Sequence, residues 1–221
     1  MKFTILTIFP EMFPGILDFS LAGKALKSGL WQLETVDIKQ YGIGNYKHVD
    51  DTPYGGGAGM VIRPDVLEKA IENSKLEGKK LFYMSPRGAV LDQKKAEELS
   101  MLKEIAIICG RYEGIDERVI EHYGIEELSV GDYILSGGEP AALVVMDAVV
   151  RLLPEVVGNK DTHNEESFSN NLLEYPHYTK PAEWKGMKVP EVLSSGDHKK
   201  VADWRKAKAV EITKKRRPDL L

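Results

Sequence analysis

Between Phe3 and Leu153 the sequence keeps switching between short apolar runs of strand length and longer segments with helical spacing. That alternation restricts the fold more than any other feature. Strands are expected at Phe3–Phe9, Leu33–Ile38, Lys80–Ser85 and Glu104–Cys109, with short extended pieces at Leu128–Val130 and Tyr133–Leu135 around Gly131. Helices are expected at Glu11–Gly29, at Arg63–Leu76 with Pro64 in its first turn, at Asp92–Leu102 capped by Asp92, at Glu117–His122 and at Pro140–Leu153. Strands alternating with helices predict an α/β fold with a mostly parallel sheet covered on both faces.

Ligands of such sheets sit beyond the carboxyl ends of the strands. Three loops meet that description, Ser85–Leu91, Gly110–Asp116 and Val130–Glu139, and together they predict one pocket. Gly137-Gly138 suits either a tight turn or a close approach of backbone to a ligand. With no G-x-G-x-x-G and no Walker sequence, no phosphate cradle is present, and an adenine-bearing cofactor held through backbone groups fits better. Gly110 and Gly114 bracket Arg111-Tyr112-Glu113, charges that either meet a ligand or brace the loop as an Arg–Glu ion pair. Cys109 reads as a small core side chain. Thr52–Met60 is either a backbone nest for an anion or a surface loop, and His48, Asp50 and Asp51 beside it read as loop polar residues.

Val157–Phe168 has no apolar periodicity and reads as a linker, giving expected boundaries of 1–157 for the sheet domain, 158–168 for the linker and 169–221 for a small helical domain. A helix is expected over Asp197–Lys214, its partly apolar face made by Val201, Trp204, Ala207, Lys208 and Val210. The chain of 221 residues has a net charge of −4, which does not advertise a nucleic-acid partner. Its distribution does: Lys180–Leu221 holds 12 basic and 6 acidic residues, a net of +6, leaving 18 basic and 28 acidic residues before it, a net of −10. Ala141–Leu153 is too short and too charged to span a bilayer, and the first residues lack a signal peptide's apolar region; no membrane association and a cytoplasmic location are expected. Arg151 either snorkels to solvent or faces a polar pocket, and Glu165-Glu166 are either solvated charges or carboxylates on a segment that closes over a substrate.

Several runs, in order, resemble the bacterial tRNA (guanine-N1)-methyltransferases of the SPOUT superfamily: Ile8-Phe9-Pro10-Glu11-Met12-Phe13, Val49-Asp50-Asp51, Pro53-Tyr54-Gly55-Gly56-Gly57, Cys109 through Arg118, Gly131-Asp132-Tyr133, Leu135-Ser136-Gly137-Gly138-Glu139 and Pro176-His177-Tyr178-Thr179. The resemblance covers essentially the whole chain. It implies a C-terminal trefoil knot in the sheet domain and S-adenosylmethionine as cofactor, held by Tyr83, Ser85, Pro86, Gly110, Tyr112, Glu113, Gly114, Val130, Gly131, Asp132, Tyr133, Ile134, Leu135, Gly137 and Gly138. It further implies a homodimer with a shared active site, tRNA as partner, and transfer of a methyl group to N1 of guanosine 37. Glu166 is then the base, where the family usually has Asp, and Arg151 the stabiliser of charge on O6. No dedicated metal ligands are expected, although the family's use of magnesium makes Glu113 a candidate contributor. Alternatives of other kinds are a SPOUT enzyme acting on ribosomal RNA and a non-catalytic RNA-binding relative.

Overall fold

Seven strands and five helices follow one another up to Val157 in the computed structural model, which describes residues 1–157 and 166–221. The strands are β1 (Lys2–Thr7), β2 (Gln32–Asp37), the two-residue β3 (Asp50–Asp51) and β4 (Val61–Ile62), β5 (Leu81–Val90), β6 (Glu104–Cys109) and β7 (Glu126–Ser129). The helices are α1 (Ser20–Lys27), α2 (Pro64–Asn73), α3 (Gln93–Ser100), α4 (Glu117–Tyr123) and α5 (Glu139–Val150). Five strands pair in the order β2-β1-β6-β5-β7, every pair parallel. The mostly parallel α/β sheet expected from the alternation is present.

A parallel sheet needs cover on both faces, and the side-chain alternation along each strand provides for it. Phe3, Ile5, Phe82, Met84, Ile105 and Ile107 point into one core with Trp31, Leu99 of α3 and the apolar face of α5. Leu6, Tyr83, Ala106 and Ile108 point into the other with α2 and α4. Trp31, Phe3 and Phe82 are almost wholly buried, and each such side chain contributes roughly 1.5–3 kcal/mol by leaving water. Asp92 and Asp116 cap α3 and α4, accepting from the amides of Lys95 at 2.7 Å and Arg118 at 3.0 Å.

Three expectations need correction. Glu11–Gly29 is not one helix: turns at Pro10–Met12 and Gly15–Asp18 precede α1. Pro14 has no amide to donate and disfavours helix at the residue before it, and Gly15 follows at φ +56°. The strand expected to end at Ser85 runs on to Val90, with a register shift in which both Met84 and Ala89 pair with Leu128. Tyr133–Leu135 is not extended strand, because Gly131 at φ +144° turns the chain and the Tyr133 amide donates back to its carbonyl at 2.9 Å.

The chain divides into two compact units, Met1–Val157 and Gly158–Leu221. Most of the expected linker, residues 158–165, lies outside the described residues. The second unit contains a hairpin of β8 (Glu183–Trp184) and β9 (Met187–Lys188) and the long helix α6 (His198–Arg216), capped by Asp197. The stripe of α6 that packs centres on Ala209 and Thr213, both buried, whereas Ala207 is exposed. Thr213 accepts from the Leu173 amide at 2.9 Å. Among the described residues no helix is long and apolar enough to cross a membrane.

Candidate functional site

The middle of β5 at its register shift, Tyr83–Pro86, and the loops that follow β6 and β7 enclose a cavity of about 250 Å³, so the first of the three expected loops, Ser85–Leu91, contributes to it as irregular strand and not as a loop beyond the strand end. Of the fifteen residues expected to bind a cofactor, all but Asp132 line it. Asp132 is exposed on the same loop and stands outside the lining.

Glycines set how closely these loops approach each other. A side chain at Gly110 would fall 2.7 Å from the Tyr83 ring, and one at Gly138 would fall 2.9 Å from the Cα of Cys109. The Gly138 amide donates to the Gly110 carbonyl at 2.9 Å, joining the β6 loop to the head of α5. Burial pushes the Tyr83 phenol above its ordinary pKa, Glu127 acting in the same direction, and the Ile115 amide hydrogen-bonds to it. Tyr112, held at φ +59°, is also raised, by burial and then by Asp50, to which it hydrogen-bonds. Cys109 is buried and its thiol is pushed well up by desolvation, in keeping with a core side chain.

Within the β6 loop the expected Arg–Glu brace takes another form. Arg111 pairs with Glu139, 28 residues on, through Nε to Oε2 at 3.0 Å, and its Nη1 donates to the Ser136 carbonyl at 3.2 Å. Glu139 is fully buried, and its second oxygen accepts from the Thr7 hydroxyl at 2.7 Å. Sequence reasoning missed this carboxylate because a Glu at a helix start ordinarily faces solvent. Its position directly after two glycines in the first turn was the available signal, since that is where the helix dipole favours negative charge.

Arg151 lies elsewhere on the first unit. It caps the carboxyl end of α5 and lines a groove with Ile16, Phe19, Leu21, Asp147 and Val156. Glu166 belongs to the second unit, where it borders a cavity of about 230 Å³ with Leu172, Leu173, Tyr175, Arg205 and Lys206. There the Arg205 guanidinium stacks 4.8 Å from the Tyr175 ring centre. Glu165 lies outside the described residues. Glu113 lines the cavity described above and packs against Gly59. Among the described residues no three His, Cys, Asp or Glu side chains converge to hold a metal ion.

A parallel α/β sheet with a glycine-rich cavity at one edge, over its carboxyl ends, has the arrangement of a protein that binds a small ligand. The comparisons give that class a narrower identity. Residues 1–221 match the family described as tRNA (Guanine-1)-methyltransferase TrmD, and the chain belongs to that family. It is 56% identical over 220 residues to a tRNA (guanine-N(1)-)-methyltransferase of Ruegeria pomeroyi, covering 98% of this chain and 90% of that protein. A protein of the same name from Rhodospirillum rubrum is also 56% identical, over 100% of this chain and 92% of its own length. One from Wolbachia pipientis wMel is 56% identical over 99% and 94%.

Proposed function

We propose that this chain transfers a methyl group from S-adenosylmethionine to N1 of the guanosine at position 37 of tRNA, beside the anticodon. The observation that carries the reading is the convergence of fourteen expected cofactor residues on one cavity, in a chain that matches a methyltransferase family from end to end. The shape of the cavity supports this cofactor. Side chains at Gly110 and Gly138 would collide with Tyr83 and Cys109, so the walls close in tightly there around a ligand that carries no phosphate. S-adenosylmethionine supplies the methyl group on a sulfonium, a positively charged leaving centre.

The chain's own residues perform the rest. Gly110–Gly114 and Val130–Gly138 hold the cofactor and exclude water from it. Guanine N1 carries a proton and is a poor nucleophile at neutral pH, so a base must take that proton as the new bond forms. Glu166 fills that role. Charge that grows on O6 needs a fixed cation, and Arg151 supplies it. Arg151 is not among the residues around the cofactor cavity, which favours a homodimer in which one copy completes the other's site. The basic stretch Lys180–Leu221 meets the RNA backbone, and the cytoplasm, where tRNA is modified, is the working compartment. The trefoil knot belongs to the same reading.

The test is transfer of labelled methyl from S-adenosylmethionine to tRNA transcripts bearing guanosine or adenosine at position 37. We expect incorporation into the guanosine transcript alone. No incorporation into it would overturn the proposal.

A further inference from the structure

Glu139 is the least expected side chain in the molecule. It is a carboxylate with no exposure at all, standing behind a cavity whose lining does not include it. Burying a charge is expensive unless it is paired and hydrogen-bonded, so its partners must matter. Both oxygens are used: Oε1 accepts from Thr7 Oγ1 at 2.7 Å and Oε2 from Arg111 Nε at 3.0 Å. Thr7, itself buried, also accepts the Phe9 amide at 2.9 Å, which fixes its hydroxyl at the carboxyl end of β1. The Arg111 guanidinium lies 4.6 Å from the Phe9 ring centre and reaches the Ser136 carbonyl. A side chain at Gly137 would come within 2.2 Å of Arg111 Nε, so the guanidinium lies directly against the Ser136–Gly138 backbone.

We infer that Thr7, Arg111 and Glu139 are positioning residues that set the separation of the Gly110–Gly114 and Ser136–Gly138 loops and thereby tune cofactor affinity. The inference rests on the cofactor reading above and adds to it three side chains, of which Thr7 and Glu139 stand behind the wall. Arg111 itself borders the cavity, but Thr7 does not. An effect of Thr7 on binding therefore reaches the ligand through its partners, by Glu139 directly and by the Phe9 ring that stacks on Arg111. Ordinary packing would not require this arrangement, since a buried ion pair is often no more stabilising than apolar groups of the same size.

The experiment measures S-adenosylmethionine affinity by calorimetry and Tm by scanning calorimetry on the full chain. We expect Thr7→Val to weaken cofactor binding about fivefold to tenfold, a part of what one hydrogen bond to a charged group contributes, the remainder falling on stability. Thr7→Ser, which keeps the hydroxyl, should restore most of it. The double variant Arg111→Met with Glu139→Gln should regain much of the Tm lost by either single change, yet still bind the cofactor weakly. If Thr7→Val binds as the parent does, or if the double variant recovers Tm and affinity together, the three residues only stabilise the fold and the inference is overturned. A parent chain that binds no S-adenosylmethionine would instead overturn the functional reading on which it rests.

Discussion

The amide of Gly138 donates to the carbonyl of Gly110 across 2.9 Å, so the first turn of α5 and the loop after β6 share one wall of the cavity. Gly138 has φ −78° and ψ −12°, angles that any residue adopts. The constraint is space: a Cβ would meet Cys109 Cα at 2.9 Å, Gly110 N at 3.1 Å and Met84 Cβ at 3.1 Å. For Gly138→Ala we expect a loss of about 1–3 kcal/mol in stability from overpacking, read by denaturant titration. A drop of about tenfold or more in S-adenosylmethionine affinity should accompany it. Unchanged affinity would mean that the two loops are not held together at this point.

The sequence displayed this cavity better than it displayed the network behind it. The strands were legible because they are buried on both faces and read as nearly unbroken apolar runs, as in Ile105–Cys109. The loops were legible because ligands of parallel sheets gather at one edge. The pairing of Arg111 with Glu139 was not, since local reasoning sees Glu113 two residues away and has no measure of a contact 28 residues distant. Pro86, Arg87 and Gly88 disguised the second half of β5, because they interrupt a strand that resumes pairing at Ala89. Pro14 was visible, but its effect was outweighed by helical spacing on either side of it.

Kinetics separate the two roles given to Arg151 and Glu166. Glu166→Gln removes the proposed proton acceptor and should lower kcat about 10²–10⁴-fold while leaving cofactor affinity near that of the parent. Arg151→Ala should lower the single-turnover rate about 10²–10³-fold, the size seen when one stabilising donor is lost. If Glu165→Gln is the inactive variant and Glu166→Gln is active, the base is the neighbouring residue. A normal single-turnover rate for Arg151→Ala would remove it from the chemical step.

Stability should depend on pH through Glu104 at the start of β6. Hydrogen bonding to Lys79, with added attraction from Lys79 and Lys2, holds its carboxyl below the usual glutamate value against a smaller effect of burial. Because the folded-state value is the lower one, its contribution is present above the unfolded-state pKa near about 4.3. It is lost as pH falls through the folded value. Lys79 is about half exposed, so water and salt screen the pair and the contribution is about 0.5 kcal/mol or less. Glu104→Gln should be slightly less stable than the parent at pH 7, the gap closing as pH falls below about 4. Urea titrations across that range would show a constant gap if the carboxylate contributed nothing through its charge.

The groove around Arg151 gives the dimer proposal its sharpest test. Ile16 and Phe19 on its rim are 70% and 71% exposed, and Leu21 is 48% exposed. Three large apolar side chains around one groove are costly to leave in water and are what a second copy of the chain would cover. Phe19→Glu places a charge on that rim without touching the cofactor cavity, whose lining does not include it. We expect light scattering to give twice the chain mass for the parent and one chain mass for the variant, with S-adenosylmethionine affinity within about twofold of the parent. Methyl transfer to tRNA should fall sharply in the same variant, because each site would lack the Arg151 supplied by its partner. A monomeric parent that methylates at full rate would show that one chain carries the whole site. Arg151 would then have to reach the cavity, or be replaced in its role, within a single copy.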